Sequence, residues 1–195
     1  DRLVMVAEDG QLIDGDQILY ALTIARHREA TLEGPIVGTV MSNFGLEKAL
    51  KSENIEFHRA DVGDRHVLEA LRASGGIIGG ETSGHIIVLD KATTGDGLIS
   101  ALQVLAIMKK TGKKLSELVA SMPKYPQILI NVQTKGHLNL KTSTKIQAAV
   151  ALAEDELADN GRVVLRASGT EPVIRVMVEG EHDDQVDDIA KRLAA

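Results

Sequence analysis

The segment Arg166-Ala167-Ser168-Gly169-Thr170-Glu171-Pro172-Val173-Ile174-Arg175 brings two guanidinium groups, two hydroxyls and a glycine into one short stretch. A phosphate ester is bound by such groups: bidentate N–H forks from arginine, short O–H donors, and backbone N–H groups that glycine lets approach closely. The same residues also fit an ordinary hairpin in which Ser168-Gly169 turns, Pro172 stiffens the loop and both arginines are solvated. Two arginines on one loop of an acidic chain favour the anion site. Arg166, Ser168, Gly169, Thr170 and Arg175 are its candidate phosphate ligands.

A second segment, Gly79-Gly80-Glu81-Thr82-Ser83-Gly84-His85, joins two apolar stretches. Its glycines let the backbone come close to a partner, and Glu81, Ser83 and His85 offer a carboxylate, a hydroxyl and an imidazole. Hydrogen bonding to a polyol is one use. Hydrolytic triads draw their members from separated positions, so a tight loop argues against that chemistry. The plain alternative is a glycine-rich hairpin with His85 bonded to backbone. Third, Asp1-Arg2 stands just before an apolar run. A carboxylate at a strand end can ligate Mg²⁺, but Mg²⁺ needs more than one such group or a substrate phosphate beside it.

Other features fit structural roles. Thr93-Thr94-Gly95-Asp96-Gly97 is read as helix capping by Thr94 or Asp96 rather than as an anion site. Gly63-Asp64-Arg65-His66 is read as a turn into a helix, with a pocket-facing position as the lesser alternative. His27, His58, His137 and His182 show no metal-ligand spacing.

The elements that must position these groups alternate. The run Leu3 to Val6 predicts a strand, a turn at Glu8-Asp9-Gly10 follows, and Asp14-Gly15-Asp16 offers caps for a helix carrying Ile18, Leu19, Leu22 and Ala25 on one face. Strands are expected at 36–41 and 55–59, and helices at 46–52 and 65–73, the latter ending at Gly75-Gly76. Ile77-Ile78 and residues 86–89 flank the glycine-rich loop. Residues 97–109 predict a long apolar helix, expected to be buried. This alternation is α/β layering with a mainly parallel sheet over residues 1–121. Pro123 and Pro126 make 122–127 the expected linker. Beyond it, strands at 128–132, 163–166 and 173–178 and helices at 143–157 and 186–193 read β-α-β-β-α, a small α+β domain over 128–195 with an antiparallel sheet and two helices.

Composition bounds the function. The 195 residues contain no cysteine, which excludes disulfide frameworks and thiol chemistry and suits a reducing, cytoplasmic setting. A net charge of −6, with two Tyr, two Phe and no Trp, argues against a general nucleic-acid binder. No apolar run approaches the roughly 18 residues of a bilayer span, so no membrane partner is expected.

Together the three segments resemble the α-D-phosphohexomutases, and the resemblance covers essentially the whole chain. Arg166 to Arg175 resembles the family's phosphate-binding loop, Gly80 to His85 its sugar-recognition loop, and Asp1-Arg2 the end of its Asp-Gly-Asp-Gly-Asp-Arg metal loop. Residues 38–43, 62–65 and 93–97 are similar to stretches of its glucosamine-specific branch. Thr82 departs from the pattern, where many members have Gln and some Met.

The resemblance implies the third and fourth of four domains. The domains carrying the phosphorylated serine and the other metal aspartates lie outside this sequence and would be its partners. It implies Mg²⁺ in the complete enzyme, with Asp1 as one ligand, Arg2 near the transferring phosphoryl group, and a phosphorylated amino sugar as substrate. The implied reaction interconverts glucosamine-6-phosphate and glucosamine-1-phosphate for cell-wall precursors. The chain alone is expected to be inactive and could self-associate. Alternatives are a stand-alone phosphosugar-binding module or part of a glucose- or mannose-phosphate mutase.

Overall fold

A computed structural model describes residues 1–134, 140, 142–168 and 172–195. The chain divides into two compact units, Asp1–Pro123 and Lys124–Ala195.

The first unit opens with a small antiparallel hairpin, β1 (Met5–Val6) and β2 (Leu12–Ile13). Leu3 and Val4, expected in the first strand, lie outside it. Asp14 then starts helix α1 (Gly15–Arg28) with a capping box: its side chain accepts from the Gln17 N–H at 3.1 Å while its own N–H donates to the Gln17 side chain at 3.2 Å. Four strands follow, β3 (Ile36–Thr39), β4 (Phe57–Ala60), β5 (Ile78–Gly80) and β6 (Ile86–Val88), ordered β4-β3-β5-β6 in one sheet. β3 runs parallel to both β4 and β5, and only β6 is antiparallel.

Helices α2 (Phe44–Ser52), α3 (Asp64–Ser74), α4 (Gly97–Thr111) and α5 (Leu115–Val119) complete this unit. Alternation along the strands builds two cores. Ile36, Ile78, Ile86 and Val88 pack with Ile18, Leu19 and Leu22 of α1 on one face, whereas Val37 and Ile87 meet Val67 and Leu71 of α3 on the other. Covered on both faces, β3, β5 and β6 are buried throughout, whereas the edge strand β4, with His58 and Arg59, is only half-buried.

Helix α4 departs from expectation. Only Ser100 and Val104 are buried, while Leu98 is 73%, Leu102 55% and Leu105 49% exposed. Its apolar residues surround the helix, but one narrow stripe, with Ile107 and Met108 beside Val104, meets the core. Apolar composition measures a tendency to leave water and does not say which face finds cover.

In the second unit, β7 (Gln127–Gln133), β9 (Val173–Gly180) and β8 (Gly161–Ala167) form an antiparallel sheet in the order β7-β9-β8. Helices α6 (Thr144–Leu157) and α7 (Asp183–Ala194) supply Ala153, Leu157, Val186 and Ile189 to a core completed by Val163, Ile174, Val176 and Val178. Around the expected linker, Met122 is buried in the first unit's core and Gln127 opens β7. Among the described residues no helix is long and apolar enough to cross a membrane.

Candidate functional site

The loop between β5 and β6 is held by its own backbone and by three neighbouring segments. The Glu81 N–H donates to the His85 carbonyl at 3.0 Å and the Gly84 N–H to the Glu81 carbonyl at 2.9 Å, closing a tight turn. Gly84 has φ +92°, a left-handed geometry in which a β-carbon is strained, and that β-carbon would also strike the Leu3 carbonyl. The Leu3 N–H donates to Gly84 at 2.8 Å and the Gly15 N–H to Thr82 at 3.0 Å, tying the loop to the chain start and to α1. Glu81 Oε1 accepts from the N–H of Gly63, the residue preceding α3, at 2.9 Å.

A residue read from sequence as a possible cap anchors this assembly. Asp16 is fully buried, and its Oδ2 accepts from the Thr82 hydroxyl and from the Asn43 N–H, each at 2.8 Å. The Ser42 hydroxyl is a further partner, while Oδ1 is buried without one. Burial disfavours the carboxylate and pushes the Asp16 pKa up to about 6, against the opposing pull of these hydrogen bonds. Nothing in the sequence distinguishes Asp16 from a solvated acid in a first helical turn. Thr82, the departure from the family pattern, directs its hydroxyl into this joint.

Asp1, Arg2, Glu81, Ser83 and His85 line one cleft of about 500 Å³, together with Asp64. His85 is buried against Gly95, where a β-carbon would collide with the ring. Its Nδ1 lies 3.5 Å from an Asp1 carboxylate oxygen, and its Nε2 lies 3.8 Å from Asp64 Oδ2 and has no hydrogen-bond partner. The backbone bond anticipated for the His85 ring is therefore not made at Nε2. Asp96, as expected, caps α4 by accepting from Leu98 and Ile99. Asp64, read as part of a turn, faces the cleft; the glycine before it and its place in the first turn of α3 were the available signals.

The candidate phosphate ligands lie in the second unit. Antiparallel register sets Arg166 of β8 directly opposite Arg175 of β9, so both belong to the same sheet face, with Asn131 of β7 next in line. Like charges directly opposed across strands are unfavourable, and an anion between them would relieve that cost. Arg166 Nε is buried without a hydrogen-bond partner. Ser168 donates its N–H to the Val173 carbonyl at 2.9 Å, closing the base of the connection. Gly169 and Thr170 lie outside the described residues.

Asp1 is the one residue read as a metal ligand, and among the described residues no group of three or more His, Cys, Asp or Glu side chains could hold a metal ion. The residues present do not by themselves fit Mg²⁺.

Residues 14–125 match the family model for the alpha/beta/alpha domain III of phosphoglucomutase/phosphomannomutase, and residues 129–195 match that for its C-terminal domain. The chain belongs to the phosphoglucomutase/phosphomannomutase family. It is 54% identical over 194 residues to the phosphoglucosamine mutase of Nitrosococcus oceani and 52% identical over 194 residues to that of Methylococcus capsulatus. Both alignments take in 100% of this chain and 43% of the relative. The chain thus spans less than half the length of the curated relatives it matches.

Among solved structures it resembles Aspergillus fumigatus N-acetylphosphoglucosamine mutase in complex with GlcNAc-6P and magnesium, with TM-score 0.78 and 20% identity, covering 98% of this chain and 48% of that one. A phosphoglucomutase/phosphomannomutase family protein from Burkholderia thailandensis matches with TM-score 0.72 and 22% identity, covering 98% and 43% respectively. At such identities the likeness concerns the fold, which is the expected mixed α/β unit followed by an α+β unit.

Proposed function

We propose that this chain is the substrate-binding C-terminal portion of a phosphoglucosamine mutase, which interconverts glucosamine-6-phosphate and glucosamine-1-phosphate. The observation that carries the reading is the convergence of Glu81, Ser83 and His85 with Arg2 on one cleft. A carboxylate, a hydroxyl and an imidazole in one wall suit the hydroxyls of a sugar ring. Arg2 supplies positive charge where a phosphoryl group would transfer.

In this reading a phosphoserine supplied from outside the chain donates its phosphoryl group. The resulting bisphosphorylated sugar reorients, and its other phosphate returns to the serine. The sugar loop reads ring hydroxyls in either orientation, while Arg166, Arg175 and Ser168, with Gly169 and Thr170, hold the phosphate that is not reacting. Both arginines offer charge-assisted bonds, which need no metal. Asp1 is one of several carboxylates, the others outside the chain, that would together hold Mg²⁺, whose role is to neutralise phosphoryl charge.

The test pairs calorimetric titration of this chain with glucosamine-6-phosphate and a mutase assay on the chain and on the full-length protein containing it. Binding and turnover by the full-length protein, with none by the chain, is the expected result. Turnover by the chain alone, or full-length protein that neither binds nor converts the sugar phosphate, would overturn the proposal.

A further inference from the structure

The sugar cleft is more acidic than the binding of a phosphate ester alone explains. It presents Asp1, Asp64 and Glu81 against Arg2 and His85, and a dianionic ester entering beside three carboxylates is repelled unless a cation accompanies it. Two of the three acids already have company. Glu81 accepts the Gly63 N–H, and Asp1 lies near His85 Nδ1.

Asp64 differs. Its side chain is 60% exposed, it accepts no hydrogen bond from a described residue, and His85 Nε2 lies 3.8 Å away, too far for a bond. The His85 side chain is only 8% exposed, yet its Nε2 is also unpartnered. Asp64 thus offers the cleft an exposed carboxylate beside a buried ring nitrogen that has no hydrogen-bond partner, a carboxylate with room to receive a ligand's donor.

We propose that Asp64 is the specificity-determining residue for an amino sugar: its exposed carboxylate receives the ligand's ammonium, with the buried His85 ring beside it. The inference rests on the phosphosugar reading of this cleft and names the group that tells an amine from a hydroxyl. An ammonium gives Asp64 a charge-assisted bond, whereas the hydroxyl of a neutral hexose gives a neutral donor of roughly half that strength and leaves the carboxylate's charge uncompensated. Asp64 also occupies the first turn of α3, where an acid complements the helix dipole. That role stabilises the helix regardless of which sugar is bound.

The experiment compares kcat/KM for glucosamine-6-phosphate and glucose-6-phosphate in the full-length protein and its Asp64→Asn variant. Loss of one charge-assisted bond should lower the amino-sugar preference about tenfold, chiefly through kcat/KM for glucosamine-6-phosphate, with Asp64→Glu recovering part of it. A second reading needs no variant: the wild-type preference should decline as pH rises and the sugar's amine loses its proton. An unchanged ratio in Asp64→Asn, an equal loss with both sugars, or a pH-independent preference would each overturn the role of Asp64 while leaving the mutase reading standing. Full-length protein that turns over neither sugar would overturn both.

Discussion

The β5–β6 loop of the first unit and the arginine pair of the second position polar groups by opposite means. Residues 81–85 are held by backbone hydrogen bonds to Leu3 and Gly15 and by side-chain bonds that converge on Gly63 and Asp16. Arg166 and Arg175 are brought together by strand register, which sets like charges opposite one another. The first site is thus built before a ligand arrives, and its cost is a buried carboxylate. The second sets two like charges side by side, an arrangement that an anion would favour. Preorganisation suits a ring whose hydroxyls must be told apart, and charge accumulation suits a phosphate that needs only to be held.

The largest effect should come from breaking the built site. Gly84→Ala forces a β-carbon into left-handed geometry and against the Leu3 carbonyl, at roughly 1–3 kcal/mol for each of the two effects. Thermal or denaturant unfolding should show that loss together with loss of sugar-phosphate binding. A variant as stable as the parent would remove the claim that this turn is rigid.

Arg166→Ala sharpens the contrast from the other side. It should lower kcat/KM for the sugar phosphate in the full-length protein by about 10- to 150-fold, or 1.5–3 kcal/mol, yet leave the ligand-free protein no less stable because a like-charge pair is removed. Unchanged efficiency at low substrate would refute the phosphate role. Marked destabilisation without ligand would refute the repulsion argument.

A smaller effect concerns Asp16. Its pKa is raised in the folded state to about 6 from 3.8, chiefly by burial, with Asp14 nearby adding to the shift. The folded state therefore binds the proton more tightly than the unfolded chain does. The resulting stabilisation is fully present below pH 3.8 and is lost as pH rises through about 6. Between about pH 4.5 and about pH 6.5 the stability of the parent relative to Asp16→Asn should fall by roughly 2 kcal/mol, measured by denaturant melts. A flat difference would show that the joint between Asp16, Thr82 and Asn43 does not carry this proton.

Much of this was legible beforehand. Asp14, within the expected cap Asp14-Gly15-Asp16, capped α1, Gly75 took the left-handed turn that ends α3 with φ +75°, and Asp96 capped α4. These depend on neighbours a few residues away, which a sequence displays directly. The exposure of Leu98, Leu102 and Leu105 was not legible, because burial depends on what lies opposite in space. The hairpin partner Leu12-Ile13 and the short helix α5 were also missed, each being too brief for a periodicity to register.

The amino-acid order by itself determined which groups are available and which stretch each belongs to: guanidiniums and hydroxyls at 166–175, carboxylate, hydroxyl and imidazole at 81–85, and two layered units divided near the prolines. Only the tertiary structure decided that Asp16 is a buried joint, that Thr82 turns inward to it, that Asp64 faces His85, and that Arg166 stands opposite Arg175. Propensity and capping act over a turn or two of chain, whereas desolvation, strand register and close approach arise between residues far apart in sequence. A carboxylate in water and one in a core are the same letter, and burial alone gives them different chemistry.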